Sequence, residues 1–273
     1  MKTGLIAALA LAWSAHGQPY QMGAGTQDRQ WLPERAHPEN PVKRYPIEIK
    51  DGVTITARDG TNLDARLFLP TLAAGAKPTP CVLMSDATGA RPTPVPARPS
   101  LLGIAQWLTA KEAPPSLQAI VPQVACGDCY GLLWYPGGMM PGPGRLARKQ
   151  SLGAEAEYER SIQHRNQDDW WRQRTTLAAD VQAIAKRGVA AFISGGLDDY
   201  ITPGNVRAYE EFDSPKKRLL LAPHAHGWQI DFLQELQVQW LDHWLKDDDN
   251  GVERVPKVIL YVKGVDRWRT PAK

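Results

Sequence analysis

Two short apolar runs, Val189-Ala190-Ala191-Phe192-Ile193 and Leu219-Leu220-Leu221-Ala222, constrain this chain more than any other feature. Both have strand length, lack polar alternation and are stopped by Gly or Pro, the pattern of strands buried on both faces. Each run opens into residues that carry chemistry. The first leads to Ser194-Gly195-Gly196-Leu197-Asp198-Asp199 and the second to Pro223-His224-Ala225-His226-Gly227. In a parallel α/β sheet the reacting groups sit just beyond the carboxyl ends of the strands. An acid and a histidine in those two loops therefore face one crevice, and together they are two members of a nucleophile, histidine and acid relay.

The remaining segments fit that class. Val53-Thr54-Ile55-Thr56-Ala57 and Leu63 to Leu69 flank Asp59-Gly60, the signature of a hairpin, expected here as an antiparallel lead-in to the sheet. Cys81-Val82-Leu83-Met84 is expected as a buried strand, Leu101 to Glu112 as a helix and Ala119-Ile120-Val121 as another strand. Ile230, Leu233, Leu236, Trp240, Leu241, Trp244 and Leu245 recur at helical spacing, with Gln239 on the opposite side and a stop expected at Asn250-Gly251. Strands alternating with helices make the fold class α/β.

Composition narrows what the pair can serve. The chain has 273 residues, of which 43% are hydrophobic, enough for one sizeable core. A formal charge of +3 gives no electrostatic footprint for nucleic acid. Lys2 followed by the apolar run Leu5 to Trp13 and the small residues Ala15 and Gly17 has the form of a secretory leader over residues 1–17. Export to the periplasm or beyond is the expectation. That run is short of the roughly 20 residues a membrane span needs, so no span is expected. Cys126-Gly127-Asp128-Cys129 has redox or metal spacing without a second pair. A local disulfide or two incidental thiols is the expectation, and no metal or cofactor is implied.

Several segments taken in order resemble the cocaine esterase and X-Pro dipeptidyl-peptidase family of serine hydrolases. They are Asp59-Gly60-Thr61, Leu67-Phe68-Leu69-Pro70, Ser100-Leu101-Leu102-Gly103-Ile104-Ala105-Gln106-Trp107, Pro114-Pro115 to Pro122, Gly195 to Asp199, Ser214 to Arg218, and Asp242-His243-Trp244-Leu245-Lys246. The resemblance runs from about Pro46 to Arg269. It implies an α/β-hydrolase core over 45–129 and 177–250, a shortened helical cap over 130–176, and a stub of a C-terminal jelly roll over 251–273. Residues 18–44 form an N-terminal extension.

Carried over, the resemblance makes Ser100 the nucleophile, His226 the general base and Asp199 the orienting acid. The residues alone leave Asp198 and Asp199 open as the acid, and favour His226 over His224 and a strand-end role for Ser194. Leu101 would supply one oxyanion N–H. Thr88 stands where the family has the tyrosine that supplies the other donor. The partner implied is a small-molecule ester or amide, with no cofactor.

Two departures stand out. Arg98 replaces the glycine expected two residues before the nucleophile, and Pro92, Pro94, Pro96 and Pro99 exclude a central strand leading into Ser100. Fifteen residues separate Met84 from Ser100, too few for the 30 or so of a βαβ unit. The elbow strand is thus expected to be missing by internal deletion. Two readings follow: a working serine hydrolase, or an impaired remnant that only binds ligand.

Overall fold

The computed structural model describes residues 46–71, 75, 79–83, 100–139, 155–226 and 232–270. The expected leader, the N-terminal extension, Thr88 and the proline tract lie outside them. The strands are β1 (Ile47–Thr56), β2 (Asn62–Pro70), β3 (Ala119–Ile120), β4 (Ala190–Gly196), β5 (Lys217–Ala222), β6 (Val258–Val262) and β7 (Arg267–Arg269). The α-helices are α1 (Leu101–Lys111), α2 (Glu155–Gln163), α3 (Asp169–Arg172), α4 (Ala178–Lys186), α5 (Thr202–Glu211) and α6 (Leu233–Lys246).

Five strands make the central sheet in the order β3-β4-β5-β6-β7. The first four run parallel and β7 returns antiparallel. Every residue of β4 is buried, as an unalternating apolar strand requires. Its side chains still divide by the period of two: Ala190 and Phe192 join the face covered by α6, while Ala191 and Ile193 join the face covered by α1, α4 and α5. Trp240 of α6 is fully buried and lies edge-on to Phe192 at 5.7 Å. None of the described helices is long and apolar enough to cross a membrane.

Four expectations are corrected. The hairpin forms, but β1 and β2 make a separate two-stranded sheet rather than joining the core. Cys81 to Leu83 is not a strand, and Val82 and Leu83 are 46% and 74% exposed. Val258–Val262, expected to open a jelly roll, pairs parallel to β5 and extends the core sheet. Finally, α6 ends earlier than expected, because Asp247 adopts a left-handed conformation at φ 57°, and Gln239 is buried.

Among the described residues β3 stands at the edge of the sheet, where its outward peptide groups have no strand to pair with. Helix α1 takes that place. The carboxamide of Gln106 accepts the Val121 N–H at 2.8 Å and donates to the Val121 carbonyl at 3.4 Å, imitating the peptide unit of a neighbouring strand. Two residues on, the Ser100 N–H donates to the Gln123 carbonyl at 2.9 Å. A groove of about 350 Å³ remains beside this edge, walled by Val82, Leu83, Leu102, Leu117, Leu241 and Leu245. Val121 is 4% exposed, so water cannot replace the carboxamide. Gln106→Leu is therefore expected to cost about 1–3 kcal/mol for the unsatisfied peptide group. A fall in the urea midpoint at unchanged slope is the measurement that checks it.

Candidate functional site

The site is assembled where the loops after β4 and β5 cross. Gly196 ends β4, and a Cβ there would stand 2.2 Å from the His224 carbonyl oxygen, so only glycine allows the approach. The loops are then stitched together: Leu197 N–H donates to the Ala222 carbonyl at 2.7 Å and Asp198 N–H to the His224 carbonyl at 3.0 Å. This brings Asp199 and His226 together. His226 Nδ1 lies 2.7 Å from Asp199 Oδ2, and the Ile201 N–H donates to the other carboxylate oxygen at 3.0 Å. The Asp199 side chain is wholly buried and that of His226 is 21% exposed.

A carboxylate only accepts, so Nδ1 donates and Nε2 is left with its lone pair. Buried and bonded twice, Asp199 is fixed in place. The imidazole it orients is suited to take a proton from a hydroxyl.

Asp198 points elsewhere and forms an ion pair with Lys263, from the turn between β6 and β7. This settles which of the two aspartates meets the histidine. Nothing in the sequence marks Lys263, whose segment reads as part of a separate C-terminal unit. His224 does not join the pair; burial first, and then the charge of Lys263, hold its imidazole below the ordinary histidine value, with Asp198 opposing. Ser194 is buried inside β4 at 1% exposure, unsuited to attack a substrate.

Ser100 stands immediately before α1 with φ 68° and ψ −126°. Such a conformation strains a residue with a Cβ, by about 1–3 kcal/mol. It is held by several bonds: the Ser100 N–H lies 2.9 Å from the Gln123 carbonyl and 3.1 Å from that of Val124, and the Ser100 carbonyl accepts from Gly103 at 2.9 Å and Ile104 at 3.0 Å. Val124 in turn donates to the Ser194 carbonyl on β4 at 2.7 Å, so the serine is tied to the strand that carries Asp199. Leu101 opens α1, where a helix N–H has no intrahelical partner, and its side chain is 56% exposed. Among the described residues, no hydrogen bond joins Ser100 Oγ to His226.

Between β3 and α4 the aromatic residues pack on one another. Trp171, 1% exposed, has ring centroids of Tyr130, Trp134, Tyr135 and Trp170 at 5.3, 5.7, 6.0 and 4.7 Å. The Tyr135 hydroxyl is turned inward and donates to the Ser161 carbonyl at 2.7 Å. Trp134 and Tyr135 thus serve this cluster. Cys126 and Cys129 are buried and not joined by a disulfide, and the Cys129 thiol donates to the Cys126 carbonyl at 3.9 Å.

The chain is similar to several known proteins. The model of the family described as X-Pro dipeptidyl-peptidase (S15 family) matches residues 144–228, which hold both Asp199 and His226. Cocaine esterase from Rhodococcus sp. (strain MB1 Bresler) is 22% identical over 234 residues, covering 62% of this chain and 40% of the esterase. A structure of a CocE/NonD family hydrolase from Staphylococcus aureus superposes with a TM-score of 0.63 at 16% identity, over 80% of this chain and 54% of that one. A second structure described as a CocE/NonD family hydrolase from the same organism gives 0.50 at 19% identity, over 63% and 33%. The chain thus spans about half or less of the length of these relatives, and the superpositions establish a shared fold.

One pH dependence follows from the aromatic cluster. Asp168 caps α3 by accepting from Trp170 N–H at 3.1 Å and Trp171 N–H at 3.3 Å, and its other oxygen meets His164 Nδ1 at 2.6 Å. The bond from His164, above all, holds the carboxyl below the ordinary aspartate range. A depressed acid contributes stability at neutral pH and loses it as pH falls through the lowered value. Asp168→Ala is expected to lower the urea midpoint near pH 7, with the difference from the wild-type chain narrowing below about pH 4.

Proposed function

We propose that the chain, which is similar to the cocaine esterase and X-Pro dipeptidyl-peptidase family of serine hydrolases, is a member of that family and hydrolyses an ester or amide bond of a small molecule through an acyl-enzyme. The observation that carries the proposal is the buried Asp199 carboxylate 2.7 Å from His226 Nδ1. In this mechanism Ser100 Oγ attacks the substrate carbonyl while its proton passes to His226 Nε2. Asp199 holds the tautomer and steadies the imidazolium. The tetrahedral oxyanion takes the Leu101 N–H at the start of α1, with Thr88 as the candidate for the second donor. Collapse expels the alcohol or amine, which leaves with the proton from Nε2. Water, deprotonated by the same nitrogen, then releases the acid and regenerates Ser100. No step calls for a cofactor.

A second reading has an observation of its own. Among the described residues Ser100 Oγ makes no hydrogen bond to His226, and β3 is the last strand on the side of the sheet where a preceding strand would bring the serine in. On that reading the chain is a remnant that binds ligand and does not turn it over.

Fluorophosphonate labelling followed by peptide mapping decides between the two. The hydrolase reading expects label on Ser100, lost in Ser100→Ala and reduced by about a thousand-fold or more in rate in His226→Ala. A folded chain that takes no label overturns it in favour of the remnant.

A further inference from the structure

The loop that supplies Asp199 also supplies the residue after it. The ring of Tyr200 lies parallel to the imidazole of His226, with centroids 5.9 Å apart and planes 6° from one another. Tyr200 is 48% exposed, so its ring is not there to fill a core. A hydrogen bond at Nδ1 fixes one corner of the imidazole, and the ring can still tilt about it through the Cα–Cβ and Cβ–Cγ torsions. A flat ring laid against one face removes much of this freedom. Once His226 is protonated, an aromatic face at this distance also attracts the cation. Asp199 and Tyr200 are consecutive, and their turn is fixed by Ile201 N–H on Asp199 Oδ1 at 3.0 Å and Thr202 N–H on the Asp199 carbonyl at 3.1 Å. The hydrogen bond and the aromatic plate therefore move as one unit.

We propose that Tyr200 is a positioning residue for His226, holding the imidazole in the plane that aims Nε2 at the serine and steadying the imidazolium formed when the serine proton arrives. The catalytic half of this statement rests on the hydrolase reading above; the stack itself does not.

Two readouts on the full chain separate these halves. In the first, diethyl pyrocarbonate acylates imidazole nitrogen, and peptide mapping gives the rate at each histidine. Tyr200→Ala is expected to speed modification of His226 several-fold, Tyr200→Phe to match the wild-type chain, and His164 and His243 to keep their rates in all variants. An unchanged His226 rate in Tyr200→Ala, or an increase shared by His164 and His243, overturns the stack. The second readout is the rate of fluorophosphonate labelling at Ser100. It is expected to fall several-fold in Tyr200→Ala and to be restored in Tyr200→Phe, and equal rates in all three overturn the positioning role. If the wild-type chain takes no label, the hydrolase reading fails, while the histidine rates still decide the stack. Tyr200→Leu replaces Tyr200→Ala if the alanine variant does not fold.

Discussion

The parallel pairing of β4 with β5 is the interaction on which the candidate site depends. Its register runs from Ala191 opposite Lys217 to Gly196 opposite Ala222, so both strands end at the same level. Asp199 and His226 can meet only because the loops beyond those ends are of matched height and touch at Gly196. A slip of one residue in either strand would turn its buried set to the other face and separate the pair. Burial of all of β4 against α6 on one side and α4 and α5 on the other makes such a slip costly. The strength of the site is thus borrowed from the core beneath it.

The edge of the sheet is managed differently. Among the described residues β3 pairs with another strand on one side only. Helix α1 makes up part of the difference through Gln106 and the Ser100 amide, each replacing one peptide unit of a neighbour. The same helix carries Ser100 at its start, so closing the edge and holding the serine are one structural task. Exposed Val82 and Leu83 beside the groove mark where the replacement is incomplete.

What the sequence disclosed, it disclosed through short-range patterns. Buried strands show in unalternating apolar runs, so β4 and β5 were visible, and α6 was visible in its helical spacing. The histidine could be placed because its loop follows directly from β5. The residues alone leave Asp198 and Asp199 open, and only the family resemblance favours Asp199, because the physical difference between them is Lys263 arriving from the turn between β6 and β7, a contact between residues 65 apart. The same lack of local signal hid the place of Val258–Val262. An apolar strand looks alike whether it opens a new domain or extends an old sheet, and only its partner distinguishes them. The hairpin failed in the converse way. Asp59-Gly60 fixes the turn, but nothing within β1 and β2 states which sheet they join.

Ser100 bears most directly on whether chemistry survives here. A residue with a Cβ at φ 68° is costly, and it persists only where its surroundings over-determine it. Here they do: its amide is held by the Gln123 and Val124 carbonyls and its carbonyl by the first turn of α1, with Val124 anchored in turn to β4. The contacts that hold it among the described residues lie downstream of the serine, in the segment after β3 and the first turn of α1. The remaining demand on the chain is positional. Asp199 and His226 are joined, Ser100 is held in a strained turn, and Val124 and Ser194 link the two. Among the described residues Ser100 and His226 are therefore positioned through β4 rather than by a hydrogen bond to each other, so the place of the serine relative to the imidazole is set by the same strand register that joins the aspartate to the histidine.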